Sequence, residues 1–168
     1  MRLAILTTGG TIDKTYNESD GTLANVGSVL NCILTSLRHP SLDIRHVPVM
    51  SKDSLDMTDT DRQAILYAVM AAQSQNDAII LIHGTDTLAE TGRHLHSKLE
   101  DLAIPVILTG AMRPYDFRDT DAVQNVTEAL LAASLLAAGI WVVMHGKALP
   151  FPEVVKNRSH MTFVGTSE

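Results

Sequence analysis

Residues 78–90 read Ala-Ile-Ile-Leu-Ile-His-Gly-Thr-Asp-Thr-Leu-Ala-Glu, and their reading decides the fold. An uninterrupted apolar run of strand-forming residues stops at His83-Gly84 and passes at once into Thr85-Asp86-Thr87, the pattern of a helix start. A strand, a tight turn and a helix N-terminus in that order mark one βα unit. In open α/β folds the carboxyl end of a buried parallel strand is where ligands sit, and the N–H groups of the helix start favour negative charge there. Thr85 and Asp86 therefore have two readings, as simple helix caps or as chemistry at a crevice.

A second junction of the same kind lies at the N-terminus. Leu3-Ala4-Ile5-Leu6 is a short apolar strand that runs into Thr7-Thr8-Gly9-Gly10-Thr11-Ile12. Two consecutive glycines let the backbone turn sharply and let a ligand come close to it. Neither G-x-G-x-x-G nor G-x-x-x-x-G-K-[ST] is present, so nucleotide binding is disfavoured.

The 168 residues are one domain by prior, enough to bury roughly 70% of the unfolded chain's surface. A formal charge of -6, with no run of Lys or Arg, leaves no footprint for nucleic acid or an anionic membrane surface. A small soluble partner is expected instead. The single cysteine, Cys32, excludes an intrachain disulfide and cysteine-based zinc spacing, and reads as a packed hydrophobe. No secretory signal is apparent, which points to the cytoplasm. The apolar stretch 129–144 falls short of the roughly 20 residues a membrane span requires. It is expected to be a buried helix closed by a glycine cap at Gly139, then a buried strand over 140–144.

Between these landmarks strand and helix alternate. Residues 13–25 are polar, contain Gly21 and show no apolar period, predicting a long surface loop of the kind that forms lids. Val26, Val29, Leu30, Ile33, Leu34 and Leu37 predict a helix over 26–37, stopped by His39-Pro40. A strand over 42–49 and a polar turn over 51–56 follow. Thr58, three residues before Asp61, resembles a capping box for a helix running to about residue 73. A helix over 88–99, a strand over 105–108, a turn over 109–114 and a helix over 121–138 complete the alternation. The expected fold class is α/β: a doubly wound, mostly parallel sheet with helices on both faces, in a single domain over 1–168. Pro150 and Pro152 break any helix in the tail, where 154–156 are part of a hairpin or a loop.

Each parallel strand delivers its following turn to the same edge, so Thr11, Ser54, Thr85-Asp86 and Ala111 are expected around one crevice. Hydroxyls with one carboxylate are the wrong set for most metals. His83, His94, His96 and His145 form no His-Glu-x-x-His arrangement and read as core or surface residues, His83 being nearest the crevice. A threonine hydroxyl is a poor nucleophile until a base takes its proton. Lys156 is a candidate base, although a lone Lys reads first as a solvated surface charge. Tyr16, just after the Gly-Gly-Thr turn, is similarly ambiguous.

Thr8-Gly9-Gly10-Thr11-Ile12 together with His83-Gly84-Thr85-Asp86-Thr87 closely resembles the two signature motifs of the bacterial-type L-asparaginases, and Thr109-Gly110-Ala111-Met112-Arg113-Pro114 resembles a third family segment. The resemblance spans nearly the whole chain but reaches only the family's larger N-terminal domain. The expectation is a short form without the smaller C-terminal domain.

The resemblance implies L-asparagine hydrolysis to L-aspartate and ammonia through a covalent acyl-threonine, with no cofactor and no metal. It makes Thr11 the first nucleophile, with Tyr16 beside it on the lid. Lys156 would accept a proton through Thr85, while Asp86 holds Lys156 and helps receive the substrate's α-amino group. Ser54 would bind the α-carboxylate, with Gly84 and Ala111 also lining the substrate site. Leu55 stands where some relatives have a polar residue that contacts substrate, and bears on asparagine against glutamine. Many relatives grip the amino group with an acidic residue from a neighbouring subunit's C-terminal domain. Weaker substrate binding is expected without it. Relatives assemble as dimers and tetramers, so a homo-oligomer is expected. Two other readings stay open: a non-catalytic amino-acid-binding module, and an ammonia-supplying subunit of a tRNA-dependent amidotransferase.

Overall fold

In the computed structural model, which describes residues 1–25 and 27–167, the apolar runs become the inner strands of one six-stranded sheet. β1 (Arg2–Gly9) leads through a 3-10 turn, Thr11–Asp13, into a hairpin of β2 (Lys14–Asn17) and β3 (Thr22–Asn25). Next come α1 (Leu30–Ser36), β4 (Asp43–Lys52), a second 3-10 turn, Ser54–Asp56, and α2 (Asp59–Gln73). The chain continues through β5 (Ala78–Ile82), α3 (Leu88–Lys98), β6 (Pro105–Thr109), α4 (Ala122–Leu135), β7 (Gly139–Met144) and β8 (Lys147–Pro150). It closes with a hairpin of β9 (Val154–Asn157) and β10 (Thr162–Gly165). The sheet order is β4-β1-β5-β6-β7-β8, parallel except for β8, which runs antiparallel to β7.

Side chains alternate across the sheet, and both faces are covered. Ala4, Leu6, Ile79, Leu81, Val106 and Leu108 pack against α2 and α3, through Ile65, Val69, Leu88 and Leu95. Leu3, Ile5, Ile80, Ile82 and Ile107 pack against α1 and α4, through Leu30, Ile33, Val126 and Ala129. Two buried faces are why the strands read as unbroken apolar runs. Each Leu, Ile or Val side chain among them stabilises the fold by about 1.5 to 3 kcal/mol.

Strand order also places the crevice. The chain leaves β1 for β4 on one side, then crosses back to β5 on the other, so the winding reverses between β1 and β5. In open α/β sheets that reversal, at the carboxyl ends of the strands, is where a crevice opens.

Several expectations are corrected. Residues 13–25 are not an irregular loop, because Lys14–Asn17 pairs with Thr22–Asn25 around a turn that Gly21 closes at φ 71. The helix expected over 26–37 begins at Leu30, and Val26 lies outside the described residues. Its entry is held differently: the buried Asp13 carboxylate accepts from the Val29 N–H at 2.9 Å. The strand expected over 42–49 runs on to Lys52, which pairs with Gly9 beyond an irregularity in the ladder. α4 stops at Leu135 with an extended Leu136, so Gly139 opens β7 rather than capping a helix. Cys32 is exposed, since the short α1 turns only Leu30 and Ile33 fully inward. The Thr58–Asp61 capping box is formed in both directions. Among the described residues, no helix is long and apolar enough to cross a membrane.

Candidate active site

The turns after β1, β4 and β5 touch one another at the reversal. Gly10 has φ 92, and a Cβ there would lie 2.3 Å from the Gly84 Cα. A Cβ on Gly84 would in turn lie 2.6 Å from the Ser54 Oγ. Only bare backbone allows this approach. The Gly10 N–H donates to the Lys52 carbonyl at 2.9 Å, and the Thr87 hydroxyl donates to the Ser54 carbonyl at 2.8 Å. The turn after β6 joins them, with Gly110 against the His83 carbonyl and the Thr85 methyl.

The threonines of the first turn sort themselves by partner. Thr7 bonds the His46 ring at 2.9 Å, and the fully buried Thr8 donates to the Ile82 carbonyl at 2.9 Å. Thr11 follows Gly10 at the start of the 3-10 turn, and among the described residues its side chain holds no hydrogen bond. The second hydroxyl, Thr85, is buried, and Lys156 Nζ donates to its Oγ1 at 2.8 Å and to Asp86 Oδ1 at 2.9 Å. Thr85 and Asp86 do not cap α3: its N-cap is Thr87, and no side chain caps it.

Lys156 comes from the far end of the chain, on β9, opposite Phe163 of β10. Phe163 and Val154 are buried in the core, and Arg93 of α3 donates to the Val154 carbonyl at 2.9 Å. These anchors lay the hairpin against α3 and leave the Lys156 side chain only 10% exposed.

The remaining expected residues fall at different distances from this cluster. Ser54 is buried in its 3-10 turn beside Gly84, whereas Leu55 is 66% exposed. The Ala111 methyl belongs to the core with Ile12 and Ile82, so Ala111 has only backbone to offer the crevice. Tyr16 stands on the hairpin, 61% exposed. His83 is wholly buried; its Nδ1–H donates to the Gly84 carbonyl and its Nε2 accepts from Thr91, both at 2.8 Å. Burial pushes its pKa down to about 4, so it is a neutral structural group that fixes the Gly84 peptide.

Sequence reasoning missed several groups around the site. Arg158 reaches Asp86 Oδ1 at 3.6 Å. Lys14 pairs with Asp53 at 2.6 Å, joining the hairpin root to the Ser54 turn and holding the Asp53 carboxyl below its usual range. Asp121 takes the Met112 and Arg113 N–H groups at 3.0 Å and the Asn125 amide and His145 Nε2 at 2.8 Å. Burial pushes the Asp121 carboxyl up, but the Met112, His145 and Arg113 hydrogen bonds outweigh it and leave it below the ordinary value. A bare Asp or Arg in a polar stretch gives no sequence signal for such roles. Among the described residues, no cluster of three His, Cys, Asp or Glu side chains is arranged to hold a metal ion.

Two hydroxyls, an amine and a carboxylate at the reversal of a doubly wound sheet define an α/β protein equipped to move a proton on and off a hydroxyl. Residues 2–163 match the family model described as asparaginase, N-terminal, and the chain belongs to the asparaginase family. It is 32% identical over 159 residues to an L-asparaginase of Thermococcus kodakarensis, covering 95% of this chain and 48% of that protein. The structure of the thermostable L-asparaginase from the same organism superposes with a TM-score of 0.90 at 32% identity, over 98% of this chain and 51% of that one. A probable cytoplasmic L-asparaginase from Campylobacter jejuni gives 0.82 at 26% identity, over 98% and 51%. One of the subunits of the glutamyl-tRNA(Gln) amidotransferase of Methanococcus vannielii is 30% identical over 162 residues, 86% of this chain and 34% of that protein. The chain thus spans about half or less of the length of these relatives.

Proposed function

We propose that this chain is an amidohydrolase that converts L-asparagine to L-aspartate and ammonia through an acyl-threonine at Thr11. The observation that carries the reading is the Lys156 amine, shared at 2.8 and 2.9 Å between Thr85 Oγ1 and Asp86 Oδ1. A lysine nearly withdrawn from water and fixed between a hydroxyl and a carboxylate is built to exchange a proton with that hydroxyl.

In this mechanism the Thr11 oxygen attacks the side-chain amide carbon, and its proton passes to the Thr85–Lys156 pair. The carbonyl oxygen becomes an oxyanion, for which the Thr85 N–H is a donor; such a donor is worth about 3 to 4 kcal/mol in acyl-transfer sites. The C–N bond then breaks, and the leaving nitrogen takes the proton to depart as ammonia. Water attacks the ester, gives a proton to the same pair, and releases aspartate as Thr11 recovers its hydroxyl. Ser54 binds the α-carboxylate and Asp86 the α-amino group, with the Gly84 backbone lining the floor. Tyr16 is carried by a hairpin whose root is latched to the Ser54 turn through Lys14 and Asp53. A cytoplasmic location and self-association go with this proposal, the former supported by the likeness to the probable cytoplasmic L-asparaginase from Campylobacter jejuni.

A second reading, an ammonia-supplying subunit acting with a partner, is supported by the likeness to the amidotransferase subunit of Methanococcus vannielii. Ammonia release from L-asparagine by the purified chain, beside Thr11→Ala and Lys156→Ala, separates the readings. Activity in the parent, undetectable in Thr11→Ala and lowered about 10²- to 10⁴-fold in Lys156→Ala, supports hydrolysis. Release only with a partner supports the second reading, and asparagine binding without turnover marks a binding module.

A further inference from the structure

Asp86 carries two cations on one oxygen. Lys156 Nζ lies 2.9 Å from Oδ1 and Arg158 Nη1 3.6 Å from the same atom, while among the described residues Oδ2 accepts no hydrogen bond. Oδ2 is thus the oxygen with its hydrogen-bonding capacity free for a ligand ammonium.

The backbone that carries Arg158 is shaped by a built turn. The Asn157 side-chain oxygen accepts from the Ser159 hydroxyl at 2.7 Å and from the His160 N–H at 3.0 Å, and Met161 turns back into β10 at φ 48. Asn157 itself pairs with Thr162, so the guanidinium sits one residue beyond the ladder that fixes Lys156.

Of the two cations, Arg158 is the one whose charge never leaves, because a guanidinium is not deprotonated in proteins. Whatever the state of Lys156, Arg158 adds one positive charge beside the carboxylate assigned to the substrate's amino group. An ammonium on the other oxygen of that carboxylate lies well within the roughly 10 Å Debye length of 0.1 M salt. The guanidinium opposes that ammonium and attracts a ligand carboxylate.

We propose that Arg158 is a specificity-determining residue that biases the crevice toward amides bearing a carboxylate but no free α-ammonium, such as the half-amide of a four-carbon dicarboxylic acid, over zwitterionic amino-acid amides. This rests on the reading of Asp86 as the acceptor of the α-amino group. Asparagine remains a substrate, bound against this charge.

The experiment is calorimetric titration of the parent, Arg158→Gln and Arg158→Lys with L-aspartate and with succinate, two ligands that differ by the α-amino group and need no turnover. Arg158 is 73% exposed on a turn, so neither substitution touches the core. Removing its charge shifts the ratio of the two dissociation constants toward aspartate by about 1.5-fold to fivefold, the range for one exposed, screened charge. Arg158→Lys keeps the parent ratio, and the shift in Arg158→Gln shrinks in high salt. An unchanged ratio, a shift toward succinate, or binding of neither ligand overturns the inference. A shifted ratio with no ammonia release from asparagine overturns the hydrolase reading alone. Ammonia release with an unchanged ratio overturns this inference alone.

Discussion

Acid should loosen this fold through His83 before it reaches the carboxylates. His83 follows β5 directly, wholly buried, with Nδ1–H on the Gly84 carbonyl and Nε2 on the Thr91 hydroxyl. A proton on Nε2 would reverse the Thr91 bond, the hydroxyl then accepting, and bury a charge. Its pKa falls from 6.5 to about 4, so between those values the unfolded chain binds a proton that the folded chain refuses. Stability from this group is complete above pH 6.5 and is lost as pH falls toward 4. At about 1.4 kcal/mol per pH unit the full loss is about 3 kcal/mol, of which about 2 kcal/mol has gone by pH 5. Asp13 acts in the opposite sense, because burial raises its carboxyl against the Val29 and Ser28 hydrogen bonds, and acid relieves that cost. The measurement is urea unfolding at pH 7.5 and pH 5 for the parent and His83→Gln, which share Asp13. The parent should lose about 2 kcal/mol more than the variant over this interval. Parallel losses would refute the assignment of His83 as a buried neutral ring.

Three further substitutions test the architecture by chemical denaturation. Gly10→Ala places a methyl 2.3 Å from the Gly84 Cα at φ 92, and should cost about 3 kcal/mol in strain and overpacking. Asp121→Ala strips the acceptor from the Met112 and Arg113 N–H groups, the Asn125 amide and His145, and should also cost about 3 kcal/mol. Thr58→Ala opens the capping box of α2 and should cost about 1 kcal/mol.

The central strands were legible because β1, β5, β6 and β7 are covered on both faces, which forces unbroken apolar runs into the sequence. β8 was not legible: Lys147–Pro150 pairs on one side only, as an antiparallel edge strand, so nothing compels an apolar pattern. The hairpin over 14–25 escaped for the same reason, pairing only with itself. Of the site, Thr11, Thr85 and Asp86 were legible because glycine turns after apolar strands announce where a sheet places its loops. Lys156 stayed ambiguous, since its position depends on long-range packing that no local pattern encodes. Gly92 in the middle of α3 is one trace of that packing: a Cβ there would lie 2.0 Å from the Phe151 ring, where the tail crosses the helix. A glycine inside a helix costs about 1 kcal/mol relative to alanine, and here the close approach accounts for it.

The claim on which the account turns is that Thr11 becomes acylated, with Lys156 handling its proton through Thr85. Acid-quenching the chain during turnover of L-asparagine and locating the adduct by fragment mass spectrometry tests this directly. One aspartyl ester is expected, on Thr11, and its formation slows when Lys156 is replaced. An ester on Thr85 or another residue, or undiminished ammonia release from Thr11→Ala with no adduct anywhere, would contradict it.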